Sequence, residues 1–177
     1  MTTVPGSPRA LVVYESMFGN TRLIAEAVAD VLSERCAVQL VEVSQAPLAV
    51  HDVDLLVVGG PTHALGMSRP STRTGARDKG AKGDVERGVR EWLSDVTFVP
   101  RPALAAAFDT RVRTRLPLGS ARRPISRRLR RLGLRVAPSA SLVVASTAGP
   151  LEAGEVEVAR RWAAQLEVTP VGAELRS

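Results

Sequence analysis

"VVYESMFGNTRLIAEAVADVL", residues 12–32, passes without a break from a β-branched strand, through a short glycine-bearing turn, into a helix with an apolar stripe. The strand at its start, "ALVVY" (10–14), is apolar almost throughout, as expected of a strand covered on both faces. In the helix, Ile24, Val28, Val31 and Leu32 fall at i, i+4, i+7 and i+8 and form one stripe to face a sheet. A strand that feeds a helix through a tight turn aims several backbone N–H groups, and the positive end of the helix dipole, at one spot. That spot suits an anion such as a phosphate. Gly19 permits the backbone geometry, and Ser16, Asn20 and Thr21 add side-chain hydrogen bonds; taken alone, these three also suit plain turn and capping roles.

Outward from this unit the pattern repeats. "VQLVEV" (38–43) alternates and carries Gln39 and Glu42, which suits an edge strand, and "SQAPLAVHD" (44–52) reads as a connection with at most one helical turn. "DLLVVGG" (54–60), "ALAAAF" (103–108) and "SLVVAS" (141–146) are three further apolar strands. Helices are expected from an N-cap at Asp84 to residue 94, with Trp92 in its stripe, over 120–133 with Ile125, Leu129 and Leu132 inward, and around Ala159, Trp162, Ala163 and Leu166. Residues 61–83 and 109–119 read as long polar loops, and 1–9 as a loose N-terminal arm before a single domain, 10–177. Five short strands alternating with helices predict an α/β fold, a three-layer α/β/α doubly wound five-stranded parallel sheet. In such sheets ligands sit beyond the carboxyl ends of the strands. The turn at 15–21 and both long loops leave such ends, so all three are expected on one rim.

At 177 residues and 45% hydrophobic content, the chain can bury a full core. No apolar run approaches the roughly 20 residues of a membrane span, and "MTTVPGSPRALVV" lacks the features of a secretory signal, so a cytoplasmic protein is expected. The lone Cys36 agrees with a reducing compartment and is read as a packed small hydrophobe; one Cys with two His leaves no structural zinc set. The net charge of +6 is unevenly placed: residues 69–82 carry +4, residues 109–135 carry +9, and the remainder −7. The excess is nearly all Arg, and no aromatic residues accompany it for base stacking, which argues against a nucleic-acid binder.

"SMFGNT" (16–21), "GGPTHALG" (59–66) and "FDTR" (108–111), each following a strand, resemble the flavodoxin-like family, in which three such loops hold flavin mononucleotide (FMN). The resemblance covers residues 10–167 and implies the strand order 2-1-3-4-5, consistent with an edge at 38–43. Many members show Ser/Thr-x-Thr-Gly-x-Thr in the first loop; here Phe18 replaces the middle hydroxyl. By this resemblance Ser16, Met17, Phe18, Gly19, Asn20 and Thr21 take the FMN phosphate. Pro61, Thr62, His63, Ala64, Leu65 and Gly66 flank the flavin ring, His63 stacking on or capping it and Gly66 allowing a peptide to rearrange against the reduced ring. Asp109, Thr110 and Arg111 contact its pyrimidine side.

Two departures shape the expectations. Typical flavodoxins sandwich the ring between Trp and Tyr, whereas Tyr14 lies in a strand here and Trp92 and Trp162 fit helix stripes, which leaves the ring to His63, Leu65 and Met67. Typical flavodoxins are also acidic, whereas this chain places its basic segments near the rim. One positive charge about 8 Å from an anion, at an effective dielectric of about 20, favours it by roughly 2 kcal/mol. That is about 90 mV on a one-electron couple. The expected protein is an FMN-binding electron carrier between redox partners, with an acidic partner docking on segments 69–82 and 109–135. The alternatives are a flavin-dependent dehydrogenase or quinone reductase of the same fold, and a flavin-free basic binding module. No protein nucleophile is evident, and the absence of a Gly-x-Ser-x-Gly elbow argues against a hydrolase.

Overall fold

Alternate residues of the first strand look into different helical layers, which is why its sequence is apolar throughout. The computed structural model describes residues 7–99, 102, 104–113 and 119–168. β1 (Arg9–Tyr14) pairs in parallel with β2 (Ala37–Glu42) on one side and β4 (Leu55–His63) on the other. β7 (Leu104–Val112) and β8 (Ala140–Val144) complete a sheet of order β2-β1-β4-β7-β8, which is the expected 2-1-3-4-5 with β2 at an edge. Val12, Val57 and Ala106 face α1 (Asn20–Ser33) and α5 (Glu155–Ala164), where Ile24, Val28, Leu32, Ala159 and Ala163 are buried. Leu11, Val13, Leu56, Val58, Ala105 and Ala107 face α3 (Val89–Asp95) and α4 (Arg122–Arg131), where Trp92, Leu93, Ile125 and Leu129 are buried. The result is an α/β/α sandwich, and the small side chains of β7 let α4 lie close against it. Gly59 of β4 leaves room for the ring of Phe108, which packs edge-on to Trp162 at 6.1 Å. Cys36 is buried, as expected, and burial raises its thiol pKa.

Several expectations need correction. Residues 61–83 are not one loop: β4 runs on to His63, turns back as β5 (Gly66–Met67), and α2 (Pro70–Arg77) follows. Pro70 stands in the first turn of α2, where its missing N–H costs nothing, and Thr72 Oγ1 accepts the Arg69 N–H. Asp84 caps a turn rather than α3, its Oδ1 accepting from Glu86 N and Arg87 N, and α3 starts at Val89. β3 (Ala49–His51) and β6 (Thr97–Val99) form a separate two-stranded parallel sheet inside segments read as connections. Residues 109–112 are strand, because they pair with Gly60–Pro61 of β4 and with Ser141–Val144 of β8; residues 114–118 of the expected second loop lie outside the described residues. At the N-terminus, residues 1–6 of the expected arm lie outside as well, whereas Arg9 belongs to β1 and the Pro8 carbonyl accepts the Ala37 N–H.

Candidate functional site

The turn between β1 and α1 is held by its own serine. Ser16 Oγ accepts from Gly19 N at 3.1 Å and Arg22 N at 3.2 Å, which curls the chain so that α1 starts at Asn20. Gly19 stands at φ +91°, in the left-handed region, with open space around its α-carbon. An alanine there meets no clash but bears the left-handed backbone, so Gly19→Ala is expected to cost about 1–2 kcal/mol, read as a shift in the denaturation midpoint. With Ser16 serving the Gly19 and Arg22 amides, those of Phe18, Asn20 and Thr21 have no protein acceptor among the described contacts. These are the first-turn donors that a helix N-terminus offers to an anion.

The turn borders a cavity of about 390 Å³ at the carboxyl ends of β1, β4 and β7. Met17, Phe18, Asn20 and Thr21 form one wall, Pro61, Thr62, His63 and Ala64 a second, and Thr110, Arg111 and Val112 a third. Thr21 and Thr110 share a buried hydroxyl pair at 2.7 Å that ties the first wall to the third. The three segments named from the sequence are therefore brought together. A fourth wall is new: Thr72, Gly75, Ala76 and Lys79, all on or just after α2, with Val144 and Thr147 closing the far side. Two cations, Lys79 and Arg111, line the space. His63 is half-buried, its Nδ1 3.3 Å from Thr72 Oγ1. Burial lowers its pKa and the Arg73 charge pushes the same way, which favours the neutral imidazole.

Six expected contacts are placed otherwise. Asp109 is fully buried and does not line the cavity. Its Oδ2 accepts from Thr62 Oγ1 (3.1 Å), Ser120 Oγ (2.7 Å) and Arg122 N (3.1 Å), and its Oδ1 from Ser141 Oγ (2.5 Å). It is a tie between β4, β7, β8 and the start of α4. Ser16 and Gly19 line a neighbouring cavity of about 410 Å³, on the Tyr14, Glu42 and Lys82 side of the turn. Leu65 does not line the main cavity and is 63% exposed, and Gly66 is paired in β5 with His63. The left-handed residues of this hairpin are Ala64 (φ 41°) and Leu65 (φ 75°), which precede Gly66. Met67, also expected at the ring, is buried among the α3 and α4 residues.

Phe18, the residue that departs from the familiar loop pattern, has a local explanation. Met17 packs with Ala76 and Ala81, and half-buried Phe18 and Val85 join them, so the turn seats α2 and the segment after it. The Met17 carbonyl accepts from Lys82 N (3.0 Å) and Gly83 N (3.3 Å). A β-carbon on Gly83 would overlap the Ser16 carbonyl, so only glycine lets the two segments approach this closely.

The fourth wall rests on Arg73, which is wholly buried. Its Nε donates to the Val85 carbonyl (2.9 Å), Nη1 to Ser68 Oγ (2.8 Å) and Nη2 to the Glu86 carbonyl (3.1 Å), and Nη2 lies 3.0 Å from Glu91 Oε2. Glu15, the residue before the anion turn, is buried beside it and accepts from Val89 N at 2.9 Å. Burial raises the pKa of Glu15, against the hydrogen bonds and the Arg73 charge. α2 buries only Arg73 and Ala76, so no stripe of large apolar residues marks it in the sequence.

The sheet order is that of a flavodoxin-like α/β fold. A family model described as a flavodoxin domain matches residues 11–71, which include the first two walls. No curated protein sequence matches the chain. Among solved structures, oxidised Flavodoxin 1 from Bacillus cereus is similar at a TM-score of 0.62 and 19% identity, over 88% of this chain and 95% of that one. A flavodoxin from the domain Archaea is similar at 0.60 and 22% identity, over 88% and 94%. Rubredoxin oxygen:oxidoreductase from Desulfovibrio gigas is similar at 0.57 and 17% identity, over 89% of this chain but 35% of that larger one. The chain is flavodoxin-like in fold, and by the family model over residues 11–71.

Proposed function

We propose that the protein binds FMN in the main cavity and works as an electron carrier. The observation that carries the reading is the convergence of the α1 turn, the Pro61–Ala64 strand end and the Thr110–Val112 strand end on one cavity of about 390 Å³. That volume lies within the range of about 300–1,000 Å³ typical of cofactor pockets. The residues fit the group unevenly. At the phosphate end, the amides of Phe18, Asn20 and Thr21 supply donors and Lys79 adds a cation on the facing wall. At the ring end, His63, Ala64, Thr110 and Val112 supply an imidazole, hydroxyl and aliphatic surface in place of an aromatic sandwich. Bound there, the flavin would supply one- and two-electron redox chemistry, while the protein fixes its position and electrostatics. In the cytoplasm the lone thiol, Cys36, would stay reduced.

The alternative on the same fold is a flavin-dependent dehydrogenase or quinone reductase, which turnover separates from an electron carrier. FMN-loaded protein should be reduced by dithionite and reoxidised by one-electron acceptors, with negligible steady-state turnover of NAD(P)H or quinones; rapid turnover would favour the enzyme. The cavity's second cation has a measurable consequence. Arg111 at about 8 Å from the reduced, anionic ring would raise its potential by about 90 mV. Spectroelectrochemistry should therefore give a lower-couple potential above that of an acidic flavodoxin, and Arg111→Gln should lower it. A potential equal to the acidic protein's, unmoved by Arg111→Gln, would count against this tuning.

A further inference from the structure

The two basic segments that look alike in the sequence are used differently in the fold. In residues 69–82, Arg73 is buried, Lys79 and Lys82 line the two cavities, and Arg77 Nη2 lies 3.5 Å from the Gly83 carbonyl. Arg69, Arg77, Lys79 and Lys82 are exposed, but Asp78 lies among them, whereas α4 carries no acid.

α4 is turned outward. Its buried residues, Ile125, Ser126 and Leu129, seat it on the sheet. Arg122 and Arg128 are held by neighbouring oxygens, Arg122 by Ser139 Oγ and Arg128 by Ser94 Oγ and the Arg90 carbonyl. Arg123, Arg127, Arg130 and Arg131 are exposed and have no acidic or hydrogen-bonding side-chain partner among the described contacts. Their spacing puts all four on one face of the helix. No Asp or Glu occurs between Asp109 and Glu152, so nothing on α4 or its flanking segments offsets them. The acids of neighbouring α3 are Glu91, held by Arg73, and exposed Asp95. The segment leading into α4 reaches the β4–β5 hairpin: Ser120 N donates to the carbonyl of exposed Leu65 at 3.2 Å.

We infer that the outer face of α4 is a docking surface for an acidic protein surface. Four like charges held at helical spacing, with no internal counterion, complement a carboxylate-bearing patch and steer its approach. An acidic protein fits better than a nucleic acid because α4 carries no aromatic residue for base stacking, whereas exposed Leu65, bonded to the segment leading into α4, offers the apolar contact common at protein interfaces. On the electron-carrier reading above, the docked protein is the redox partner; the docking itself does not require the flavin.

The test uses the full-length, flavin-free chain with poly-L-glutamate as the acidic probe and oligo-dT as the competitor class, followed by titration calorimetry at low and moderate salt. Poly-L-glutamate should bind, more weakly as salt rises, and the combined variant Arg123→Gln, Arg127→Gln, Arg130→Gln, Arg131→Gln should weaken it by about tenfold or more. The corresponding four-lysine variant should retain binding, which separates charge from folding, and Arg160→Gln with Arg161→Gln, on α5 across the sheet, should leave it within about twofold. Unchanged binding by the four-glutamine variant, no binding of poly-L-glutamate, or tighter binding of oligo-dT at the same salt would each overturn the inference. Because no flavin is present, failure here is separate from failure of FMN to bind.

Discussion

Arg73→Ala is expected to be the most damaging single substitution in the chain, lowering the unfolding free energy by about 3–5 kcal/mol. The guanidinium is wholly buried and reaches Ser68, Glu91 and the Val85 and Glu86 carbonyls. Truncation leaves those acceptors without their donor and removes the charge that lies near buried Glu15 and Glu91. Arg73→Lys keeps the charge but cannot span three separate acceptors, so it should recover only part of the loss. The damage should spread to the turn, because the segment that Arg73 anchors also covers Met17 and Phe18. Denaturant unfolding measures the stability, and hydrogen exchange should show lost protection at Lys82 and Gly83, whose amides bond to Met17. A loss under about 1 kcal/mol would mean that the network is not tight.

Asp109→Ala should cost about 4 kcal/mol, because four donors lose one acceptor at a site with no exposure. Asp109→Asn replaces one oxygen by a donor that faces other donors, and should cost about half as much. If Asp109 instead acted only on a bound ligand, both variants would unfold like the parent and differ only in ligand affinity. Unfolding curves recorded without any ligand separate the two outcomes.

The reason these two residues dominate also explains how far the sequence could be read. The order of the main strands, their layers and the three converging segments were legible because apolar runs and helical stripes report burial directly. Val12 and Leu11 are apolar because each faces a different helical layer. α2 was not legible because its anchor is charged, and charge in a sequence ordinarily signals a solvated face. Asp109 was misplaced for a related cause. It follows the apolar run 104–108, so the strand seems to end there, yet pairing to Gly60 and Ser141 carries it on through Val112. Polar residues that complete a strand or bury an ion pair leave no periodic mark.

The substitution at Phe18 shows the converse. As a departure from the familiar loop it counts against phosphate binding, since one hydroxyl is lost. In the fold it helps seat the segment that brings Lys79 to the cavity, so a side-chain hydroxyl is replaced by an apolar contact that positions a cation.

The central claim, an FMN site built on the α1 turn, is tested most directly by titrating the purified, flavin-free protein with FMN and, separately, with riboflavin, following flavin fluorescence. FMN should bind stoichiometrically with quenching, and at least about tenfold more tightly than riboflavin, because the turn's amides and Lys79 meet the phosphate that riboflavin lacks. Fluorescence of FMN unaltered by the protein at any ratio, or equal affinity for the two flavins, would contradict it.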